Sequence, residues 1–263
     1  MWEYNFMQNA FLAGTIIAVI CGIVSYFVII RRTAFAAHAL GHISLTGAAA
    51  AVMLGSSPMT GLLTVNITSA IIMGFIGDKI KKNDLAVGIV LTFFLGLGAY
   101  FLYLYQTGYS GGVMAIMFGD ILSVSMFQIY LLFLLSAIIV VTLLIIAKPL
   151  LFASIDPTLA EAKRLPVRLL SVLFFILLAI TVSMACQIVG ALLIFALLIG
   201  PGAVASYLCD GFYSSIITSI AVSVLTVWLS LTVSFYLNLP ASFCITMFIC
   251  IFYVLGVIKN KFY

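Results

Sequence analysis

Charge is the scarcest property of this sequence. Of its 263 residues, 7% are charged and 65% are hydrophobic. A water-soluble chain of this length needs several times that charge to cover its surface, so a soluble globular protein is excluded. The composition instead predicts an all-α, polytopic membrane protein. We expect one transmembrane domain over residues 1–263, with length for eight to ten helices of about 20 residues each.

Three further absences reduce the number of possible functions. The five cysteines stand singly in apolar surroundings without a C-x-x-C spacing, so we expect small buried hydrophobes rather than disulfides. No G-x-x-x-x-G-K-[ST] sequence occurs, so if transport is driven by ATP, another polypeptide handles the nucleotide. The eleven lysines and arginines fall in short segments between apolar runs, which does not suggest a nucleic-acid partner.

Nine apolar runs have the length and composition of membrane spans. We predict eight or nine transmembrane helices, because two short runs that meet near residues 183–187 could be fused into one. With the N-terminus outside and the C-terminus inside, all eleven lysines and arginines fall in cytoplasmic segments, as the positive-inside rule requires. The predicted spans are 11–30, 34–54, 61–77, 85–105, 127–147, 168–183, 187–206, 213–236 and 241–258.

Residues 106–126 do not fit this pattern. They begin polar and glycine-rich, become apolar, and are too few to span with a loop on each side. We predict an external loop followed by a short half-inserted helix that carries Asp120 near a protein-lined boundary. Asp120 is a candidate carboxylate on an ion path, or a partner behind the metal ligands, although a plain cap or loop acid is the simpler interpretation.

Both histidines of the chain lie in one predicted span. His38 and His42 are four residues apart, so on a helix they lie one turn apart on the same face. The surrounding sequence is rich in alanine and glycine, which leaves space rather than hydrogen-bond partners. An ionisable residue inside a span is a functional-site hypothesis by default, so the pair predicts metal or proton handling. The alternative is a pair of helix–helix hydrogen-bonding residues.

Two imidazoles suit zinc, copper, nickel or iron better than magnesium or calcium. They form an incomplete site, because four-coordinate zinc needs further ligands from water or from the same pair in a second copy of the chain. An incomplete site suits an ion in transit. A zinc protease of the H-E-x-x-H type is disfavoured, because Ala39 follows the first histidine where glutamate is needed.

The segment between residues 155 and 165 has the signals of a short surface helix. Asp156 can cap its start, Pro157 suits the first helical position, and Pro166 ends it. Leu159 could share one face with Ala162. The acidic Glu161 precedes the basic Lys163 and Arg164, and this order of charges is the one that the helix dipole favours. The segment is either an ordered interfacial loop without a partner or a helix that docks into a groove on a cytoplasmic subunit.

Several motifs in order give the chain a family resemblance. F-A-A-H-A-L-G-H-I-S-L-T-G (35–47) resembles the signature span F-x-G-D-A-L-S-H-A-S-L-P-G of the permease subunits of zinc/manganese/iron-type ABC importers. The resemblance continues through D-L-A-V-G-I-V (84–90), F-G-D-I-L (118–122), S-I-D-P-T-L-A-E-A (154–162) and Q-I-V-G-A-L-L-I-F-A-L-L-I-G-P-G-A-V-A (187–205). His42 falls on the family's histidine, His38 replaces its usual aspartate, and Thr46 stands where proline is common.

The resemblance implies a homodimeric permease in the cytoplasmic membrane of a prokaryote. Its partners would be cytoplasmic ATP-binding subunits, which carry the ATP, an extracytoplasmic metal-binding protein, and membrane lipid. Residues 156–165 would be the coupling helix. The chain itself would be no enzyme and would hold no permanent cofactor. Zinc is favoured as the transported ion because His38 offers nitrogen in place of a hard oxygen, with manganese or iron as alternatives.

Two functions from other classes remain to be separated from this one. A proton-coupled secondary metal carrier would use the same histidines, but it should show inverted repeats with acids near the middle of the membrane, and we find no convincing repeat. An intramembrane metalloenzyme would need a third protein ligand and a general base beside the pair, and none is evident on the same helix.

Overall fold

A computed structural model describes residues 4–77, 83–104, 119, 121–191 and 193–262. Among these residues there is no β-strand. The helices are α1 (Asn5–Ile30), α2 (Ala34–Met53), α3 (Pro58–Gly77), α4 (Asn83–Leu104), α5 (Met126–Ile155), α6 (Pro157–Ala162), α7 (Val167–Val189), α8 (Ile194–Leu208), α9 (Phe212–Leu237) and α10 (Ala241–Phe262), with a 3₁₀ turn at Ile121–Ser123.

Eight of these helices are long and apolar enough to cross a membrane, and α8 is a shorter apolar helix of 15 residues. The predicted all-α bundle of eight or nine spans is therefore confirmed. Several predicted boundaries are wrong. The first span begins at Asn5 instead of 11, and the seventh begins at Ile194 instead of 187. The sixth span continues to Val189 instead of ending at 183, and the fifth continues through Pro149 to Ile155, where a loop was predicted.

The break between α7 and α8 lies inside the bundle rather than at its edge. Gly190 adopts φ 98°, a conformation that favours glycine, and ends α7. A Cβ placed on Gly41 of α2 would lie 3.1 Å from the carbonyl oxygen of Ala191. Because Gly41 is seven residues beyond the start of α2, about 10 Å along it, the break lies at mid-depth of that helix.

Gly119 and residues 121–124 lie between the same break and one end of the bundle. Asn9, near the start of α1, donates from Nδ2 to the carbonyl of Val124 over 3.2 Å. Deeper along α1, Gly14 faces the side chain of Ile121, and Gly119 (φ 73°) contacts the backbone of Gly190. This is consistent with the predicted half-inserted segment, although its described part forms a 3₁₀ turn instead of an α-helix. Asp120 lies outside the described residues.

The fold holds α2 against α3 by direct backbone contact. A Cβ on Gly47 would lie 2.6 Å from the carbonyl oxygen of Gly61, and a Cβ on Gly61 would overlap the same part of α2. Such close approach of two membrane helices is possible only with small residues at the crossing. The position of α2, the helix that carries both histidines, is therefore fixed by its neighbour.

Candidate functional site

The histidine pair lies on one face of α2, as its spacing predicts. His38 Nε2 and His42 Nε2 are 3.1 Å apart, and the two rings meet edge to face with centroids 4.5 Å apart. Both side chains are half-buried. The two nitrogens therefore converge on one point instead of facing different neighbours.

This geometry is close to what two ligands of one metal ion require. With Zn–N distances of 2.0–2.1 Å and a tetrahedral angle, two ligand nitrogens lie about 3.3 Å apart. The Nε2 atoms of His38 and His42 are 3.1 Å apart, which is close to that separation. In the absence of metal, one Nε2 can donate its hydrogen to the other, which holds the rings in place.

The face that carries the pair is the less covered side of α2. We call Phe35, His38, His42 and Leu45 the open face. Phe35 is 40% exposed and the other three are half-buried. The ring of Phe195, in the first turn of α8, packs against His38 with centroids 4.8 Å apart. Phe195 is itself 38% exposed, so the pair has an aromatic neighbour on one side and an uncovered surface on the other.

The opposite side of α2 is fully buried. We call Leu40, Ser44, Gly47 and Ala51 the closed face. Ser44 is two positions after His42, which places the two side chains about 200° apart around the helix.

A buried hydrogen-bond network joins this closed face to α3 and α7. Asn66 of α3 donates from Nδ2 to Ser44 Oγ over 2.7 Å and to Ser183 Oγ over 2.9 Å. The thiol of Cys186 lies 3.4 Å from Ser44 Oγ. Asn66 Oδ1 is buried and has no hydrogen-bond partner. Sequence reasoning missed this network. The only signal was a lone asparagine in an apolar span.

The pair has no third protein ligand within the described part of this chain. No group of three or more histidine, cysteine, aspartate or glutamate side chains there could hold a metal ion. Asp120, the acid predicted to lie near the ion path, falls outside that part. The described site is therefore the two imidazoles, and any further ligand must come from elsewhere.

The predicted short surface helix is present as α6. Asp156 caps its start, because Oδ1 accepts a hydrogen bond from the Thr158 hydroxyl over 2.6 Å and another from the Leu159 backbone N–H over 2.9 Å. These two bonds hold the pKa of Asp156 below its usual range, the Thr158 bond contributing most. Pro157 follows at the first helical position, as predicted. The cap therefore uses the ionised form of the carboxylate.

The other end of α6 is closed by its own backbone. Arg164 adopts a left-handed conformation (φ 58°), and the next N–H, that of Leu165, donates to the carbonyl of Ala160 over 3.0 Å. This is the Schellman pattern of helix termination. The residue that faces the bundle is Ala160, which is fully buried, whereas Leu159 and Ala162, expected to share a face, are both exposed.

The exposed surface of α6 presents an apolar side chain among charged ones. Leu159 is 47% exposed, and the side chains of Glu161, Lys163 and Arg164 are also exposed. Lys163 Nζ lies 4.9 Å from the centre of the Phe152 ring, which fixes one of these charges against α5. A capped, closed helix with such a surface has the form of a docking element.

Comparison with known protein families gives one match that covers nearly the whole chain. The model of the ABC 3 transport family matches residues 3–260. The match includes the histidine pair, the break between α7 and α8, and α6.

Individual relatives agree with the family match. The chain is 30% identical over 212 residues to the manganese transport system membrane protein MntC of Halalkalibacterium halodurans, covering 79% of this chain and 71% of that protein. It is 28% identical over 255 residues to the manganese import system permease protein ScaB of Streptococcus parasanguinis, covering 97% and 90%. A solved structure of PsaBC from Streptococcus pneumoniae in complex with Fab is similar with a TM-score of 0.85 and 29% identity, covering 97% of this chain and 92% of that one.

Proposed function

The chain belongs to the ABC 3 transport family and is a multi-pass membrane permease of a metal-ion importer, and we propose that it passes a divalent transition-metal ion between His38 and His42 into the cytoplasm. The chain itself makes and breaks no covalent bond. ATP is hydrolysed by separate subunits, and the ion is imported by alternating access.

The convergence of the two Nε2 atoms carries this proposal. At 3.1 Å they are close to the separation of two zinc ligands, and they lie on the less covered face of α2. Half-buried imidazoles on such a face can exchange an ion with both sides of the membrane in turn. A complete cage of four ligands on a single copy would hold the ion too tightly to release it, whereas ligands divided between two copies can separate.

A second copy of the chain is the proposed source of the missing ligands. The open face of α2 leaves Phe35 and both histidines uncovered within one copy. Two such faces related by a two-fold axis would place four imidazoles around one point, the number that tetrahedral zinc takes. The transport path would then run between the two copies.

Docking of the ATP-binding subunits is assigned to α6. Its exposed Leu159 and Glu161 stand on a helix that is capped at one end and closed at the other, so a push on it moves the adjoining ends of α5 and α7. We expect Glu161→Lys to lower metal uptake per ATP hydrolysed, because it reverses a charge on this surface. Unchanged coupling in that variant would count against the docking role.

Zinc is the favoured ion within this proposal. Its support is the ligand chemistry, since His38 offers a nitrogen where the family's usual residue offers a carboxylate oxygen. The names of the relatives mention other ions. MntC and ScaB are named for manganese. The chelated iron transport system membrane protein YfeD of Yersinia pestis is 28% identical over 98% of this chain. Manganese and iron are therefore the ions to test beside zinc.

The deciding experiment uses proteoliposomes that contain this chain with its ATP-binding subunits, supplied with the metal-binding protein on the side opposite those subunits. We expect ATP-dependent uptake of zinc by the wild type and none by His42→Ala, with equal recovery of ATP-binding subunits and an equal thermal unfolding midpoint. Normal uptake by His42→Ala would refute the role of the pair. Uptake driven by a proton gradient without ATP would instead indicate a secondary carrier.

A further inference from the structure

Arg31 is a half-buried cation that faces no acid among the described residues. It follows the last residue of α1, and its guanidinium lies 5.1 Å from the centre of the Phe174 ring. Its Nε is buried and has no hydrogen-bond partner. Placing a charged group in such surroundings costs free energy that a neutral side chain would not cost. The position therefore needs a reason beyond filling space.

The contacts of Arg31 indicate that reason. Nη1 donates to Ser154 Oγ over 3.2 Å, and Nη2 donates to Ser171 Oγ over 2.8 Å. Ser154 lies in the last turn of α5, two residues before Asp156, which caps α6. Ser171 lies in the second turn of α7, which follows α6 in the chain. One guanidinium thus joins the two helices on either side of α6.

Arg31 also leads directly into the helix that carries the histidines. Only Arg32 and Thr33 separate it from α2, and His38 is seven residues further on. The intervening turn is tight, because Arg32 is left-handed (φ 54°) and the Thr33 N–H donates to the carbonyl of Val28 over 3.0 Å. We therefore expect a displacement of Arg31 to move the start of α2 as well.

We propose that Arg31 is the positioning residue that transmits movement of α6 to the histidine pair. The planar guanidinium holds Ser154 and Ser171 at a fixed separation, so α5, α7 and the start of α2 move together. Lysine cannot do this, because one ammonium is a point charge on a flexible stem. This inference rests on the proposed function, since it assumes that the ATP-binding subunits act on α6.

The test compares three changes in the complex with its ATP-binding subunits, reconstituted in proteoliposomes. Arg31→Lys keeps the charge and removes the two-pronged contact. Ser154→Ala combined with Ser171→Ala removes both acceptors and keeps the arginine. Arg32→Gln is the matched control, because it removes a neighbouring exposed charge that has no part in the contact. The readout is the number of zinc ions imported per ATP hydrolysed.

We expect that ratio to fall about fivefold in Arg31→Lys and in the double serine variant, a size typical of residues that carry coupling between sites. It should stay at the wild-type value in Arg32→Gln. A purely structural role would lower uptake and hydrolysis in parallel with the amount of folded complex and leave the ratio unchanged, which would overturn the inference.

The two proposals fail in different ways. A wild-type complex that imports no metal with ATP would refute the proposed function itself. If the wild-type complex imports metal, and the Arg31→Lys and double serine variants both keep the wild-type ratio, only the role of Arg31 is refuted. If Arg31→Lys does not assemble, the double serine variant decides, because it removes two small hydroxyls and alters no charge.

Discussion

The two faces of α2 differ in how completely their polar groups are used. On the closed face, Ser44 is fully buried and bonded to Asn66, and Gly47 touches the backbone of α3. On the open face, the described residues offer the nitrogens of His38 and His42 only each other and a neighbouring aromatic ring. One helix therefore combines a rigidly packed face with a face whose imidazole nitrogens can still bind a ligand.

This difference teaches how the proposed transit site can be held in place without being closed. Ligands that must release an ion cannot be surrounded by competing partners, yet their positions have to be fixed within about 0.5 Å. Here the order comes from the far side of the same helix. The two faces should therefore respond differently to mutation: the closed face through folding stability, and the open face through ion handling.

The strongest test of the closed face is Gly61→Ala. The added methyl group would overlap the backbone of Gly47 and lie 2.6 Å from the Cβ of Ala51, so α2 and α3 must separate. We expect a loss of about 3 kcal/mol or more in the free energy of unfolding, because backbone atoms cannot move aside as side chains do. Gly96→Ala is the matched control, since a Cβ there meets nothing within 4 Å.

Thermal unfolding of the purified proteins measures both glycine variants. Gly96→Ala should match or slightly exceed the wild type, because alanine favours helix. Equal unfolding midpoints for the Gly61 and Gly96 variants would show that the α2–α3 contact does not hold the histidine helix in place.

A smaller loss is expected from Asn66→Ala. The substitution removes two buried hydrogen bonds, to Ser44 and Ser183, and with them an amide oxygen that has no partner. We expect the free energy of unfolding to fall by about 2 kcal/mol. Uptake per folded complex should stay at the wild-type level, because the network lies on the side of α2 opposite the pair. A specific loss of uptake in stable Asn66→Ala protein would break the division between the faces.

Local patterns in the sequence were sufficient for the histidine pair and for α6. A four-residue spacing fixes two side chains on one helical face wherever the helix packs. The cap at Asp156 and the proline after it also act within a few residues, so both elements are found where the sequence predicts them.

Features that depend on distant contacts could not be predicted in the same way. Gly190, which ends α7, meets Gly119, which is 71 residues earlier in the chain, and no local pattern predicts that contact. The fifth span was predicted to end at 147, yet α5 continues past Pro149 to Ile155, because a proline inside a helix removes one backbone hydrogen bond and the remaining ones persist. The role of Asn66 likewise depends on partners 22 and 117 residues away.

On the open face, His38→Asp should change ion selectivity rather than stability. A carboxylate beside His42 replaces a borderline nitrogen with a hard oxygen, which suits manganese better than two imidazoles do. We expect the ratio of zinc to manganese imported per ATP to fall about tenfold, with an unfolding midpoint close to that of the wild type. Metal content of the purified complex gives an independent measure. An unchanged ratio would mean that selection takes place before the ion reaches α2.

The smallest effect is expected at the border of the two faces, where Thr46 lies. Its hydroxyl donates to the carbonyl of Phe94 in α4 over 2.7 Å, and this approach is possible because Gly98 has no side chain. Thr46→Val keeps the shape and removes the one bond, so the free energy of unfolding should fall by about 1 kcal/mol. Thr92→Val is the matched control, since that exposed hydroxyl bonds only within its own helix, to Gly88. If the two valine variants unfold alike, the bond to Phe94 does not fix α2, and the order of the open face must come from the contacts of the closed face.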